Sequence, residues 1–300
     1  MRVLVLGGSG FVGSHVADAL SEAGHDVTIF DALESRWLRD DQRFVAGDIT
    51  ELDDVTAAVA GQEAVYNFAG LADIDESRNK PLDTVRINVA GNANVLEAAR
   101  RADIGRYVFA SSIYVASEAG SFYRVSKQAC ELYIEEYRRE FGVPPYTILR
   151  YGTLYGRRAT DTNSVHRYLG QALRERRITA RGTGEELREY IHVEDAARLS
   201  VEVLAEEFID EQVVLTGNHH LHFGEFLKLI REIVGADVEL DLRPPAPEDE
   251  LPSSAHYAIT PYTFRPRVAR KLVSNYYTDI GQGLVDCLHE IHELEQRAAS

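Results

Sequence analysis

The chain is poor in lysine and cysteine and has fewer basic than acidic residues, and each shortage argues against a class of partner or site. Only four of its 300 residues are lysines, and 48 acidic against 32 basic side chains leave a formal net charge of −16. Nucleic acids and anionic membranes are bound mainly through basic patches, so this balance argues against both as principal partners. The two cysteines, Cys130 and Cys287, show neither metal-ligand spacing nor a disulfide framework, and no metal site is predicted.

Long hydrophobic runs are also absent. No stretch approaches the ~18 apolar residues of a membrane-spanning helix, and the apolar start of the chain is too short for a signal peptide. Together with the isolated cysteines, this favours a reducing compartment, and we expect a cytoplasmic protein. The apolar content of 45% is that of an ordinary globular chain forming one large or two modest domains.

Short β-rich runs alternate with helical patterns through the first two-thirds of the chain. Near-continuous apolar strands with helices between them predict a parallel sheet that is covered on both faces. Two long helices are expected at about 84–102 and 122–141. The predicted strands are 2–7, 26–32, 43–49, 64–70, 106–112, 146–152 and 212–217.

A glycine-rich turn joins the first strand to the first helix. The spacing G-x-x-G-x-x-G alone can be no more than a tight turn, but its position between a strand and an amphipathic helix is that of the dinucleotide fingerprint. Glycines would let the backbone approach a pyrophosphate at the helix N-terminus. The cofactor-binding residues predicted in this turn are Gly7, Gly10, Phe11, Val12 and Gly13.

An acidic residue, Asp31, follows the second strand about 20 residues further on, where a carboxylate accepts hydrogen bonds from adenosine ribose hydroxyls. A carboxylate there also repels a 2′-phosphate. The predicted cofactor is therefore NAD rather than NADP, although Arg36 lies nearby in the sequence.

The alternation of strands and helices loosens after Gly156. A helix at about 223–234, a proline-rich loop at 242–252 and an amphipathic helix at about 281–297 predict a smaller lobe over the carboxyl edge of the sheet. The predicted fold class is α/β, a Rossmann-type doubly wound parallel sheet with a smaller, discontinuous α+β substrate lobe. The expected domains are 1–156 with 190–217 for NAD, and 157–189 with 218–300 for the substrate. Within the lobe, "HHLH" (219–222) is expected to be a polar turn rather than a metal site.

Tyr123 and Lys127 lie four residues apart in a predicted helix. With 15 tyrosines and four lysines, about 0.2 such pairs are expected by chance, so spacing alone leaves open a catalytic pair or a packed aromatic beside a surface charge. Residues i and i+4 share a helix face. A nearby ammonium and a positive nicotinamide ring would favour phenolate, lowering the tyrosine pKa from about 10 towards neutrality and making a usable general base.

These motifs, in this order over about residues 1–217, resemble the extended short-chain dehydrogenase/reductase family, and within it the NAD-dependent nucleotide-sugar epimerases and dehydratases similar to UDP-glucose 4-epimerase. The segments "GDI" (47–49), "NFAGLA" (67–72), "NKP" (79–81), "INVAGNANVLEAAR" (87–100) and "ASSIYVAS" (110–117) carry the resemblance. It implies that Ser112 joins Tyr123 and Lys127 as a catalytic residue. It also implies cofactor-binding roles for Asp48, Ile49, Ala69, Gly70, Leu71, Lys80, Asn88, Ser111, Tyr123 and Lys127.

The resemblance extends to the substrate side. "LRYGTLYGRR" (149–158) has Thr153 where the family usually has an asparagine, and "REYIHVEDAA" (188–197) is similar to the segment whose arginine, here Arg188, clamps a nucleotide diphosphate. Arginine suits this role because its planar fork pairs two phosphate oxygens. Arg243 looks like a second phosphate contact, and Asp249 is considered as an acidic ribose ligand. With Ser112, these residues imply a nucleotide-sugar substrate.

The two positions after Ser112 are Ile113 and Tyr114, where the related dehydratases and decarboxylases place an acidic residue. The expected reaction is therefore epimerisation, most simply at C4 through a transient 4-keto sugar. The alternatives are a nucleotide-sugar reductase, dehydrogenase or decarboxylase of the same family, and a non-catalytic NAD-binding regulatory or scaffold protein. The helices at 84–102 and 122–141 resemble those of the family's four-helix dimer interface, which implies a homodimer.

Overall fold

The computed structural model describes residues 1–244 and 269–299, and its largest element is a sheet of eight parallel strands. The strands of the described chain are β1 (Arg2–Leu6), β2 (Asp26–Asp31), β3 (Gln42–Ala46), β4 (Ala64–Asn67), β5 (Arg106–Ser112), β6 (Tyr146–Tyr151), β7 (Thr153–Tyr155), β8 (Arg177–Arg181), β9 (Leu187–His192), β10 (Glu211–Leu215), β11 (His219–His222), β12 (Glu239–Arg243) and β13 (Arg270–Lys271). The eight-stranded sheet has the order β13-β10-β6-β5-β4-β1-β2-β3.

Ten helices accompany these strands in the described ranges. They are α1 (Phe11–Glu22), α2 (Leu52–Val59), α3 (Ile74–Asn79), α4 (Pro81–Thr84), α5 (Gly91–Arg101), α6 (Ser121–Phe141), α7 (Ser164–Glu175), α8 (Val193–Glu202), α9 (Phe223–Val234) and α10 (Ile280–Ala299). A π-helical turn, Val85–Ala90, makes α4 and α5 continuous, and short 3-10 turns cover Ile113–Ala116 and Glu206–Phe208.

The Rossmann-type doubly wound sheet predicted from the sequence is confirmed. Strand order reverses between β1 and β4, and open α/β sheets bind ligands outside the carboxyl ends of the strands at such a reversal. Several strands end up to three residues earlier than predicted, β4 at Asn67 instead of 70 for example. The first residue beyond two of these strands still donates to the neighbouring strand, Gly7 to the Phe30 carbonyl at 2.9 Å and Phe68 to the Leu6 carbonyl at 2.8 Å.

Both faces of the sheet are buried, as the continuous apolar runs require. Val3 and Val5 of β1 point into a core cluster with side chains of α1 and α8, while Leu4 and Leu6 point into a second cluster with α2, α5 and α6. Successive strand residues alternate between faces, so one apolar run supplies two cores. None of the described helices is long and apolar enough to cross a membrane.

A third apolar cluster lies apart from the main sheet. It gathers buried side chains of α7, β8, α9 and α10, among them Leu169, Ile178, Phe226 and Leu284. Two small sheets accompany it, one in the order β11-β9-β7 and one pairing β12 with β8. The predicted helices at 223–234 and about 281–297 are α9 and α10. Part of the proline-rich loop, residues 245–252, and Asp249 with it, lies outside the described residues.

The expectation of a polar turn at residues 219–222 is wrong. These residues form β11, which pairs antiparallel with β9. The pairing is non-local, and Leu221 packs on the third cluster. His222 then caps α9: its backbone N–H donates to Glu225 in a capping box. In residues 1–244 and 269–299 no group of three or more His, Cys, Asp or Glu side chains is placed to hold a metal.

Candidate active site

The glycine turn after β1 is shaped so that only glycine fits at two of its positions. Gly7 has φ +73°, and a Cβ there would lie 2.5 Å from the Ala69 nitrogen, while a Cβ on Gly13 would lie 2.2 Å from the Gly7 carbonyl oxygen. Gly10 caps α1 without a side chain, so the N–H groups of residues 11–13 have no side-chain partner from the cap. Such a helix start binds the phosphates of a dinucleotide.

Asp31 ends β2 beside this turn. One carboxylate oxygen accepts the Ser9 N–H at 3.1 Å, and the other accepts the Leu33 N–H at 3.4 Å. Each oxygen keeps lone-pair capacity for a further donor. The turn and the carboxylate together have the chemistry to hold the pyrophosphate and the adenosine ribose of NAD.

The loop after β3 is fixed by its own hydrogen bonds. Thr50 donates from its N–H and its hydroxyl to Asp48 Oδ1, both at 2.8 Å, and these bonds hold the pKa of Asp48 below its usual range. The Ile49 side chain is buried near Gly91, and its carbonyl accepts from Asn94 at 3.1 Å. The sequence did not identify Asn94 as the donor that holds this loop, although an asparagine that faces inward from a helix usually has a hydrogen-bond partner.

The segment 69–71 is held by Asn88, which lies in the π-helical turn. Its Oδ1 accepts the Leu71 N–H at 2.7 Å, and its Nδ2 donates to the Leu71 carbonyl at 3.1 Å and to the Ser126 hydroxyl at 2.9 Å. Gly70 has φ +155°, and a Cβ there would lie 2.8 Å from Asn88 Oδ1. Asn88 therefore acts on this side of the site by fixing the 69–71 backbone.

Lys80 lies between α3 and α4 on the surface. Its ammonium donates to Glu76 at 2.9 Å, and just over half of its side chain is exposed. The structure thus places Lys80 in a solvent-facing ion pair.

The three predicted catalytic residues come together where β5 ends beside α6. The Tyr123 hydroxyl is hydrogen-bonded to Ser112. The buried Lys127 ammonium donates to the Ala110 carbonyl at 2.7 Å and lies 4.7 Å from the Phe109 ring centroid and 5.8 Å from that of Tyr123. A phenol, a hydroxyl and an ammonium on one strand end and one helix face can exchange and hold a proton.

The pKa of Tyr123 differs from the value expected for it. Burial raises it to about 12, and the Ser112 hydrogen bond acts in the opposite direction. Burial also lowers the pKa of Lys127. The Lys127 ammonium is bound to Ala110, so the chain's own groups do not produce the predicted lowering, and they leave the phenol protonated at neutral pH.

Ser111 points away from Ser112, as the alternation of a strand requires. Its hydroxyl donates to Glu131 at 2.6 Å, in the interior between β5 and α6. Sequence reasoning missed Glu131 as a partner of this residue. The only signal was an acidic residue on the inward face of a helix four positions after Lys127.

The predicted substrate residues lie on the smaller sheets. Thr153 of β7 is half-buried and pairs with Tyr190 of β9, and Arg188 lies two residues before Tyr190, so both side chains share one face. Arg188 is 9% exposed and stacks 4.0 Å above the Phe223 ring. Arg243 ends β12 on the surface, in an ion pair with Asp241 at 2.6 Å. The structure thus joins Thr153 and Arg188 on one sheet and puts Arg243 on another.

Comparison with known proteins points to one family. Residues 3–215 match the model of the NAD dependent epimerase/dehydratase family. A dTDP-glucose 4,6-dehydratase of Mycolicibacterium smegmatis is 27% identical over 96% of this chain and 92% of its own. A UDP-glucose 4-epimerase of Corynebacterium glutamicum is 26% identical over 81% and 84%. A solved UDP-glucose 4-epimerase of Thermus thermophilus in complex with NAD has the same fold, with a TM-score of 0.81 at 22% identity over 97% and 99% of the two chains.

Proposed function

The chain belongs to the NAD-dependent epimerase/dehydratase family and is an enzyme of it, and we propose that it epimerises a nucleotide-linked sugar at C4 through a transient 4-keto intermediate. One observation carries the choice of reaction. Ser112, Tyr123 and Lys127 form a complete proton-handling group, while Ile113 and Tyr114 supply no carboxylate beside it. Ile113 is buried against Val214, and Tyr114 packs on the same cluster.

Tyr123 and Ser112 handle the C4 oxygen in this proposal. Ser112 donates a hydrogen bond that orients the oxygen, and Tyr123 as phenolate takes the hydroxyl proton and later returns it. A single phenol suffices, because the proton removed from one epimer is the proton delivered to the other. When bound, NAD supplies the acceptor for the C4 hydride and gives the hydride back.

Lys127 has two roles in the same proposal. With NAD bound, its positive charge and that of the nicotinamide ring would together favour phenolate. The Ala110 carbonyl uses one of the three donors of the ammonium, and the remaining donors suit the ribose hydroxyls of the cofactor. The glycine turn and Asp31 then bind the pyrophosphate and the second ribose, as their shape allows.

Arg188 is the strongest candidate for the substrate diphosphate. It is nearly buried, it stacks on Phe223, and the described residues give it no carboxylate partner. A buried guanidinium without a counter-charge favours an anionic ligand. Thr153 on the neighbouring strand and Arg243 would add further contacts to the nucleotide.

We propose 157–189 with 218–300 as the substrate domain and 1–156 with 190–217 as the NAD domain.

A second copy of the chain is the proposed partner. Exposed apolar side chains form a stripe on α4, the π-helical turn and α6, made of Leu82, Val85, Phe122, Val125, Leu132 and Tyr133. The spacing along α6 is that of one helix face. A large exposed apolar stripe marks an interaction surface, and pairing two such surfaces would form a four-helix homodimer.

A cytoplasmic location is also proposed, since both cysteines are unpaired.

Proton NMR of UDP-, GDP- and TDP-sugars incubated with the enzyme and catalytic NAD tests the function. Interconversion of one sugar with its C4 epimer, absent with Tyr123→Phe, is the expected result. A reaction that needs stoichiometric NAD or NADH would replace the epimerase with a reductase or dehydrogenase. Release of carbon dioxide would indicate a decarboxylase, and loss of water a dehydratase. Tight NAD binding without any sugar turnover would support the regulatory alternative.

A further inference from the structure

A buried polar network ties the catalytic helix α6 to the sheet, and we propose that Glu131 is a positioning residue that sets the placement of Tyr123 and Lys127. This rests on the proposed function for the identity of the reaction. The network, called here the Glu131 network, consists of Ser111, Glu131, Glu135, Arg150 and Gln212.

The Glu131 carboxylate is the centre of this network. Its Oε1 accepts the Ser111 hydroxyl at 2.6 Å and Arg150 Nε at 3.0 Å, and its Oε2 accepts Arg150 Nη2 at 2.7 Å. Arg150 Nη2 also donates to Gln212 at 2.7 Å, and Gln212 donates to Glu135 at 2.7 Å. Glu131 and Arg150 are 5% and 7% exposed. One helix is thereby joined to β5, β6 and β10.

The network lies in line with the catalytic pair. Tyr123, Lys127 and Glu131 are spaced four residues apart and therefore share one face of α6. Each bonds one of three consecutive residues of β5: Tyr123 bonds Ser112, Lys127 bonds the Ala110 carbonyl, and Glu131 bonds the Ser111 hydroxyl. The rotation and height of α6 against β5 are thus fixed by three directional bonds.

Stability alone does not account for a buried ion pair. Removing the ions from water costs about as much as their attraction returns, and apolar replacements of both partners are often neutral or stabilising. Apolar packing, however, tolerates small rotations and slides of a helix that a bidentate carboxylate–guanidinium pair does not. A misplacement of about 1 Å at a reacting group can lower the rate about 100-fold. The geometry therefore indicates that the Glu131–Arg150 pair keeps the Tyr123 phenol aligned with its partners.

The test replaces both partners at once. In Glu131→Leu/Arg150→Met no buried charge is left unpaired, so the fold is expected to survive with its melting temperature within a few degrees of wild type. The kcat is expected to fall about 10- to 100-fold with KM within about threefold, and the ascending limb of the kcat–pH profile should move to higher pH. Arg138→Met is the matched control, since it removes the half-buried Arg138–Asp210 pair from the far end of the same helix. Arg138→Met should leave both kcat and the kcat–pH profile unchanged.

A readout without substrate separates this proposal from the proposed function. With tyrosine labelled at ¹³Cζ, the Tyr123 signal is assigned by its loss in Tyr123→Phe. At pH 8 that signal should shift or broaden in the double variant and stay in place in Arg138→Met. Ser111→Ala, which removes only a hydroxyl, should shift it less and lower kcat about threefold to tenfold. If the double variant does not fold, Ser111→Ala and Glu131→Gln are measured in its place. An unmoved Tyr123 signal in folded variants overturns the proposal, whatever reaction the enzyme catalyses.

Discussion

The Asn88 carboxamide closes a ring of two hydrogen bonds with the main chain of Leu71, accepting its N–H at 2.7 Å and donating to its carbonyl at 3.1 Å. The remaining Nδ2 hydrogen goes to Ser126 on α6, at 2.9 Å. One buried side chain therefore links the segment after β4 to the catalytic helix. It fixes the 69–71 backbone relative to α6.

Asn88→Asp should damage this link selectively. The new oxygen faces the Leu71 carbonyl, which is left without its donor, and a charge is buried. The free energy of unfolding is expected to fall by about 2–4 kcal/mol, measured by urea denaturation. NAD affinity should fall with it, measured by titration on the folded protein. Asn79→Asp, at an exposed position, is the control and should change neither property.

Ser112→Ala should shift the pH dependence of turnover upwards. The Ser112 hydrogen bond lowers the pKa of Tyr123, and burial raises it, so losing the hydrogen bond leaves burial unopposed. The base form of Tyr123 is then populated only at higher pH. The ascending limb of the kcat/KM–pH profile, which reports the free enzyme, should move to higher pH, and kcat at neutral pH should fall about 10- to 100-fold. An unchanged limb would mean that Tyr123 is not the group that the profile reports.

Lys127→Met should separate catalysis from stability. The ammonium is buried, and burial lowers its pKa, so its charge is unfavourable to the fold; its removal costs mainly the bond to Ala110, about 1 kcal/mol. Methionine fills a similar volume against the Phe109 ring. Thermal unfolding should therefore change little, while kcat falls about 100-fold or more and NAD binds less tightly. A large loss of stability with normal NAD binding would instead make Lys127 a structural residue.

Leu132→Glu should convert a homodimer to monomer. The side chain is half exposed on the outer face of α6, and a carboxylate there would be buried without a partner when two copies pair. Light scattering at micromolar concentration should give the mass of two chains for wild type and of one for the variant. Leu294→Glu, a comparably exposed position on α10, should remain dimeric. A wild type that is already monomeric would remove the homodimer from the proposal.

Much of the fold follows from the sequence, because the apolar runs and glycine turns are local signals. The parallel doubly wound sheet and both long helices agree with what these signals predict, whereas the role expected of Ser112 came from the resemblance to the family. The directions of Ser111 and Ser112 also follow from strand alternation, although alternation alone does not reveal which partner each hydroxyl finds.

The long-range polar contacts could not be predicted from the sequence. Glu131 and Arg150 are 19 residues apart and charged, and nothing in their local sequence distinguishes a buried pair from two solvated side chains. The strand at 219–222 depends on pairing with β9, some 30 residues away, which overrides a polar composition. The pKa of Tyr123 depends on burial, a property of the packed molecule.

His15 of α1 gives the protein a specific acid sensitivity. The ring is 7% exposed, packs edge-on against Phe11, and hydrogen-bonds the Arg157 carbonyl through Nε2 at 3.0 Å. It lines a cavity of about 340 Å³ between α1 and α8. Burial is the main cause that lowers its pKa from 6.5 to about 4; the nearby Arg158 adds to this, and Asp18 acts against it.

The sign of the effect follows from proton linkage. Between pH 6.5 and pH 4 the unfolded chain binds a proton at His15 that the folded chain does not, so the free energy of unfolding falls as the pH drops through this window. At pH 5 the loss from this one group is about 2 kcal/mol. His15→Gln keeps an amide donor for the Arg157 carbonyl and has no proton to gain. Urea denaturation of both proteins from pH 7.5 to pH 4.5 should give a shallower slope for the variant, because the carboxylates titrate alike in both. Parallel curves would show that His15 takes up its proton in the folded protein.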